Sequence, residues 1–108
     1  MPDAAILVLT NLPDRDAALA LASALVTGRL AACANVGASV ESMYHWQGQI
    51  ETGQETPLLI KTRATLYARV EAAILAAHPH ELPEIIAVPI IDGSERYLEW
   101  IFAETIVS

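Results

Sequence analysis

One cysteine and six cationic side chains against thirteen acids are shortages in this chain, and each closes off a class of function. With Cys33 alone, no intramolecular disulfide can form and no CxxC site exists. Six Lys and Arg stand against thirteen Asp and Glu, a formal charge of −7, and no basic run is present. A nucleic-acid backbone would find little to bind, so nucleic acid is set aside as a partner. No stretch of eighteen apolar residues occurs, so no membrane span is expected. The first residues, M-P-D-A-A-I-L-V-L-T, lack a basic segment and carry Asp3, unlike a signal peptide. A lone thiol without an export signal points to the cytoplasm. Phosphate-cradling glycine loops, dinucleotide fingerprints and nucleophile–base motifs are also missing, and the glycines sit at isolated turns.

What is abundant is apolar surface. The 108 residues are 54% hydrophobic and 18% charged, with a mean hydropathy of +0.39. That length suits a single domain, residues 1–108, with one modest core. A small domain has much surface for its volume, so the surplus apolar side chains imply subunit contacts and a homo-oligomer.

Taken in order, Ala4 to Thr10 reads as a strand apolar enough to be central. Pro13 suits the first turn of a helix, with Asp14 and Asp16 at its positive end. That helix runs to about Thr27 on a stripe of Ala17, Ala18, Leu21, Ala22 and Leu25, and Gly28 is placed as its left-handed stop. Leu30 to Trp46 does not hold one period-2 register, and Gly37 marks a bulge that resets it. A turn at Gln47-Gly48-Gln49 leads into a partner strand, Ile50 to Arg63. The two make a long hairpin whose tip, Glu41 to Glu55, is too polar to pack inside its own domain yet carries Tyr44, Trp46 and Ile50. A second helix, Thr65 to Ala77, packs through Leu66, Val70, Ala73, Ile74 and Ala77 and stops at Pro79. Ile85 to Ile91 reads as a strand buried on both faces in the middle of the sheet. A last helix, Ser94 to about Glu104, presents Tyr97, Leu98 and Ile101 on one face. The order βαββαβ plus a C-terminal helix predicts an α+β, ferredoxin-like fold, with helices on one sheet face and other subunits covering the second.

Five ordered blocks carry a resemblance that spans the chain. They are L-A-A-C-A-N (Leu30 to Asn35), Y-H-W-Q-G-Q-I-E (Tyr44 to Glu51), E-T-P-L-L-I-K-T (Glu55 to Thr62), H-P-H-E-L-P-E-I-I-A-V-P-I (His78 to Ile90) and Y-L-E-W (Tyr97 to Trp100). In order and spacing they resemble the CutA family of divalent-cation tolerance proteins. The resemblance implies a tight homotrimer with the architecture of the nitrogen-regulatory PII proteins. It also implies a role in tolerance or response to copper and other divalent cations, with Cu2+ or another divalent ion bound weakly or conditionally. No catalytic activity is established for the family. The family usually has Tyr where this chain has His80, and commonly Val where it has Ala34.

The chemical candidates follow. Cys33 is either a small buried hydrophobe or a soft metal ligand. His78 and His80, spaced i and i+2, point the same way in an extended segment, with Glu81 and Glu84 nearby, so Cys33, His78, His80 and Glu84 are the expected metal ligands. The competing reading of His78 is a helix cap and loop brace. Tyr44, Trp46, Glu51, Glu55, Lys61, Glu81, Tyr97 and Trp100 are expected to line an intersubunit cleft, and His45 to be solvated. Two alternatives stand beside metal tolerance. One is a small-molecule sensor or enzyme acting at those clefts, with Lys61 and Glu84 as an acid–base pair. The other is a structural or anchoring trimer whose aromatic residues pack the interface.

Overall fold

A computed structural model describes residues 3–107 of the chain. The elements are β1 (Ala5–Leu12), α1 (Arg15–Thr27), β2 (Cys33–Val36), β3 (Val40–Trp46), β4 (Gln49–Arg63), α2 (Tyr67–Ala77), β5 (Ile85–Pro89) and α3 (Glu95–Glu104). A 3-10 turn, Ala64–Leu66, leads into α2. The sheet is antiparallel in the order β2-β4-β1-β5, with β3 paired to the far half of β4. This is the expected ferredoxin-like arrangement, except that the anticipated second strand is divided into β2 and β3.

Gly37 sits at that division. Its N–H donates to the Pro57 carbonyl at 2.9 Å, and a Cβ there would lie 2.8 Å from Pro57 Cγ. Only glycine lets the two backbones approach so closely while the strand changes course. At the other end of the hairpin Gln47 and Gly48 both have positive φ, 49° and 78°, as a two-residue type I′ turn requires.

Two helix ends differ from expectation. Asp14 caps α1, its carboxylate accepting the Ala17 N–H at 2.8 Å, so Pro13 lies just outside the helix and not at its first position. At the far end Gly28 has φ −79°, and Arg29, with φ 58°, takes the left-handed position. Arg29 is held there by its Glu104 ion pair at 3.1 Å and by accepting the Ile106 N–H on its carbonyl. The end of α2 matches: His78, ahead of Pro79, is extended at φ −86°, ψ 130°.

Period-2 alternation sorts the sheet into two unlike faces. Ile6, Val8 and Leu12 of β1 and Leu58 and Ile60 of β4 face α1 and α2, where Leu21, Leu25, Val70 and Ile74 complete the main core. The other face carries Leu7, Leu9, Leu59 and Lys61, and at one end α3 lies across it, packing Ile101 with Ala5, Ala32 and Ile90. The helices are therefore not all on one face. Leu7 and Leu9 stay half-buried beyond the reach of α3, and Ile86 and Val88 beside them are 50% and 39% exposed.

The largest correction concerns Ile85 to Ile91. This segment is not the middle of the sheet. β5 pairs with β1 alone, forms one edge, and leaves Ile86, Val88 and Ile91 exposed. β1, between β4 and β5, is the central strand that its apolar sequence predicts.

Arg63, last residue of β4, fixes α3. Its side chain is 9% exposed; Nε donates to Thr105 Oγ1 at 2.8 Å, and the guanidinium also donates to the Thr105 and Phe102 carbonyls. These carbonyls belong to the C-terminal end of α3, where a cation is favoured. Asp3 completes the cluster, pairing with Arg63 at 3.4 Å and accepting from the Thr65 hydroxyl at 2.7 Å. Burial works to raise the Asp3 carboxyl, but bonds from the Thr65 side chain and from the Ala4 and Thr65 amides, with the Arg63 charge, outweigh it and hold the group below its ordinary 3.8.

Arg63→Met should cost roughly 3 kcal/mol in urea unfolding, because it takes the guanidinium donors from the α3 carbonyls and the counter-charge from Asp3, and amide exchange should quicken in α3 before the sheet. The Asp3 contribution has a definite sign. Its folded pKa is depressed, so the stabilisation is present at neutral pH and lost as pH falls through that lowered value. Asp3→Asn should be less stable than the parent at pH 7, with the difference shrinking toward pH 2; a constant difference would remove this account.

Candidate functional site

The α2–β5 loop, residues 78–84, is built around His78. Its Nε2 lies 2.6 Å from the Asn11 carbonyl, and its Nδ1 accepts the His80 N–H at 3.1 Å. A carbonyl can only accept, so the proton must sit on Nε2, and both ring nitrogens are engaged. His78 thus ties the loop to the end of β1 and has no lone pair free for a metal. The His80 ring packs 4.8 Å from that of His78, tilted by 60°, and is otherwise exposed. Glu84 accepts from Asn11 Nδ2 at 3.3 Å, a second tie between loop and strand. Pro79 and Pro83 stiffen the segment further.

Across from this loop, the twisted hairpin turns Tyr44 and Trp46 inward, and the two walls enclose a groove of about 860 Å³. Of the expected site residues it gathers Tyr44, Trp46, Glu55, His78, His80, Glu81 and Glu84. His45 also borders it. Its lining holds three carboxylates and no Lys or Arg, so the groove favours cations. Both walls come from one chain. Glu51 lies opposite Tyr44 on β4, exposed and outside the lining.

The remaining candidates gather elsewhere. Cys33 on β2 and Lys61 on β4 are direct cross-strand partners on the sheet face that α3 partly covers. Lys61 Nζ donates to Asn35 Oδ1 at 2.9 Å, lies 4.0 Å from Cys33 Sγ, and stands 5.8 Å from the Tyr97 ring centroid. Tyr97 in turn packs on Trp100 at 5.4 Å. Lys61 pairs with Leu7, whereas His78 and Glu84 contact Asn11, four residues further along β1 and therefore roughly 13 Å away. Cys33 is thus not brought to His78, His80 and Glu84, and Lys61 and Glu84 do not meet as an acid–base pair. Among the described residues no three His, Cys, Asp or Glu side chains cluster as a metal site. The donors of a single chain are an incomplete fit for a tightly held ion.

Asn11 and Asn35 complete the two clusters and were not among the expected site residues. Asn11 reads in sequence only as a strand breaker; Asn35 lies in the L-A-A-C-A-N block, but nothing local marks its amide as the acceptor for a lysine twenty-six residues on.

A ferredoxin-like sheet, a long hairpin arm and an acidic, aromatic groove against a His-Pro-His loop define a small class of α+β proteins. The family model of the CutA1 divalent ion tolerance protein matches residues 6–104, and the chain belongs to that family. It is 40% identical to the divalent-cation tolerance protein CutA of Thermus thermophilus over 98 residues, covering 91% of this chain and 95% of that one. It is 41% identical to the chloroplastic protein CutA of Arabidopsis thaliana over 89% of this chain, which spans about half (53%) of that longer protein. The crystal structure of CutA1 from Oryza sativa superposes with a TM-score of 0.94 at 37% identity, covering 97% of this chain and 96% of that one.

His78→Ala removes both ring bonds, and amide exchange across residues 80–84 should quicken about tenfold while the sheet stays protected. Imidazole nitrogen shifts should show His78 as the Nε2–H tautomer; the opposite tautomer would refute its bracing role.

Proposed function

We propose that the protein is a divalent-cation tolerance factor that works as a homotrimer and takes copper, or another divalent ion, weakly at the groove. His80 would be its imidazole ligand, with Glu81 and Glu84 as carboxylate partners. The observation that carries this reading is the division of labour between the histidines. His78 has both nitrogens engaged, while the His80 ring is exposed beside carboxylates in a groove without Lys or Arg. Imidazole with carboxylate is a donor set that borderline divalent ions accept. One chain offers too few donors for tight binding, which accords with a weak or conditional site completed where subunits meet. Cys33, on the other cluster, would act apart from it.

Three features support the trimer. The outer edge of β5 has no partner strand among the described residues, and its apolar side chains are exposed. Beyond α3 the open sheet face leaves Ile86 and Val88 without cover. The hairpin arm carries Met43 and Ile50 at 75% and 67% exposure. A free edge beside exposed apolar surface invites pairing with another copy. No helix among the described residues is long and apolar enough to cross a membrane, and the unpaired thiol suits a reducing compartment, the cytoplasm.

Calorimetric titration with Cu(II) tests the metal site. His80→Ala should weaken binding about tenfold or more, and Cys33→Ser should leave it unchanged. Equal affinity in parent and His80→Ala would remove the groove from metal binding. Sedimentation should give a species of three 11.6 kDa chains, and a monomer at micromolar concentration would defeat the trimer reading.

A further inference from the structure

Lys61 is the only lysine in the chain, and its surroundings are unusual for an ammonium. It stands half-buried among Leu7, Leu59 and Cys33 on the sheet face that α3 partly covers. Its side-chain contacts are an amide oxygen from Asn35, the Cys33 sulfur and the face of Tyr97. Among the described residues no carboxylate lies within ion-pair distance of it. The ion pairs among those residues are Arg29–Glu104 and Arg63–Asp3, so in an acidic chain the single lysine is left to neutral partners.

The neutral contacts do something other than neutralise. Asn35 and Tyr97 fix the direction of a flexible four-carbon side chain, and an ammonium with three donors still has bonding capacity to spare. A charge held in place and left without a counter-ion, on an apolar wall, is a receptor for an anion. Tyr97, whose ring lies beside the Nζ, packs on Trp100 at 5.4 Å with the rings tilted by 37°, and both are about 40% exposed, an angled aromatic wall.

We infer that Lys61 is the centre of a carboxylate-binding site, separate from the cation-favouring groove, with Asn35 and Tyr97 orienting the ammonium and Trp100 extending the wall. The carboxylate has two possible sources of the same chemistry: a small free acid, or an acidic side chain of a second copy laid over this face. For the first, a single chain supplies the oriented ammonium and the adjoining aromatic rings. The second rests on the trimer reading, in which covering the face expels water and makes a counter-ion for Lys61 more necessary.

Benzoate is a suitable probe, because its ring can lie along the aromatic wall, and benzamide is the uncharged control. For a free acid, benzoate should raise the melting temperature saturably at constant ionic strength and benzamide should not. Lys61→Met, which keeps the volume, should abolish the response, and Lys61→Arg should retain most of it. For a partner's carboxylate, benzoate should be inert while Lys61→Met weakens self-association about 30-fold or more, with Lys61→Arg again close to the parent. If Lys61→Met changes neither the benzoate response nor self-association, the inference is wrong. Copper titration of the same variant keeps the proposals apart: normal copper affinity with a lost carboxylate response supports both sites, and copper failure in the parent leaves the Lys61 result standing alone.

Discussion

A single strand of fifteen residues, Gln49–Arg63, is the spine of this protein. It pairs with β1 and β2 through its second half and with β3 through its first. Its inner half is buried on alternate positions, while its outer half projects with β3 as a hairpin arm. Everything functional is placed by this division. The inner half carries Lys61 and Arg63 to the face shared with α3, and the outer half carries the arm that forms one wall of the groove.

The two faces of the sheet are unequal, and the inequality explains where polar chemistry is found. The face toward α1 and α2 is filled mainly by aliphatic side chains, with Thr10 and Thr62 buried among them. The opposite face is closed at one end only. There Arg63 joins the end of β4 to the final turn of α3, so the C-terminal helix is held by hydrogen bonds to its carbonyls as well as by Ile101. Beyond α3 the same face is open and apolar, and at its border Lys61 stands beside Tyr97 with no carboxylate partner among the described residues. Cation-favouring and anion-favouring sites are thereby kept roughly 13 Å apart along β1. In a chain of charge −7 that separation prevents the lysine from being neutralised by the groove's own carboxylates.

The groove owes its shape to backbone–side-chain bonds that no local pattern announces. His78 is committed to Asn11 and to the His80 amide, sixty-seven and two residues away. The i, i+2 spacing of His78 and His80 suggests twin ligands, but the fold uses one imidazole to hold the loop and leaves the other exposed. His80 is the free one and so has the most latitude for chemistry.

Much was written locally in the chain. Alternation along β1, the 3.6-residue stripes of α1 and α2, the turn at Gln47-Gly48 and the stop at Pro79 follow from backbone preference and apolar spacing, and they suffice for the order of elements and the ferredoxin-like class. The five sequence blocks were enough for the family. The place of β5 was harder to see. An apolar, β-branched run suits a strand buried on both faces, and equally an edge strand awaiting another subunit; Pro89, unable to donate to a ladder, is the local hint of an edge. Tertiary structure decided that placement, the division of the candidate residues into two clusters, the engagement of His78 and the isolation of Lys61. The physical reason is the same in each case. Register and strand order bring together groups far apart in sequence, and whether a polar atom is spent or free depends on the partner it meets there.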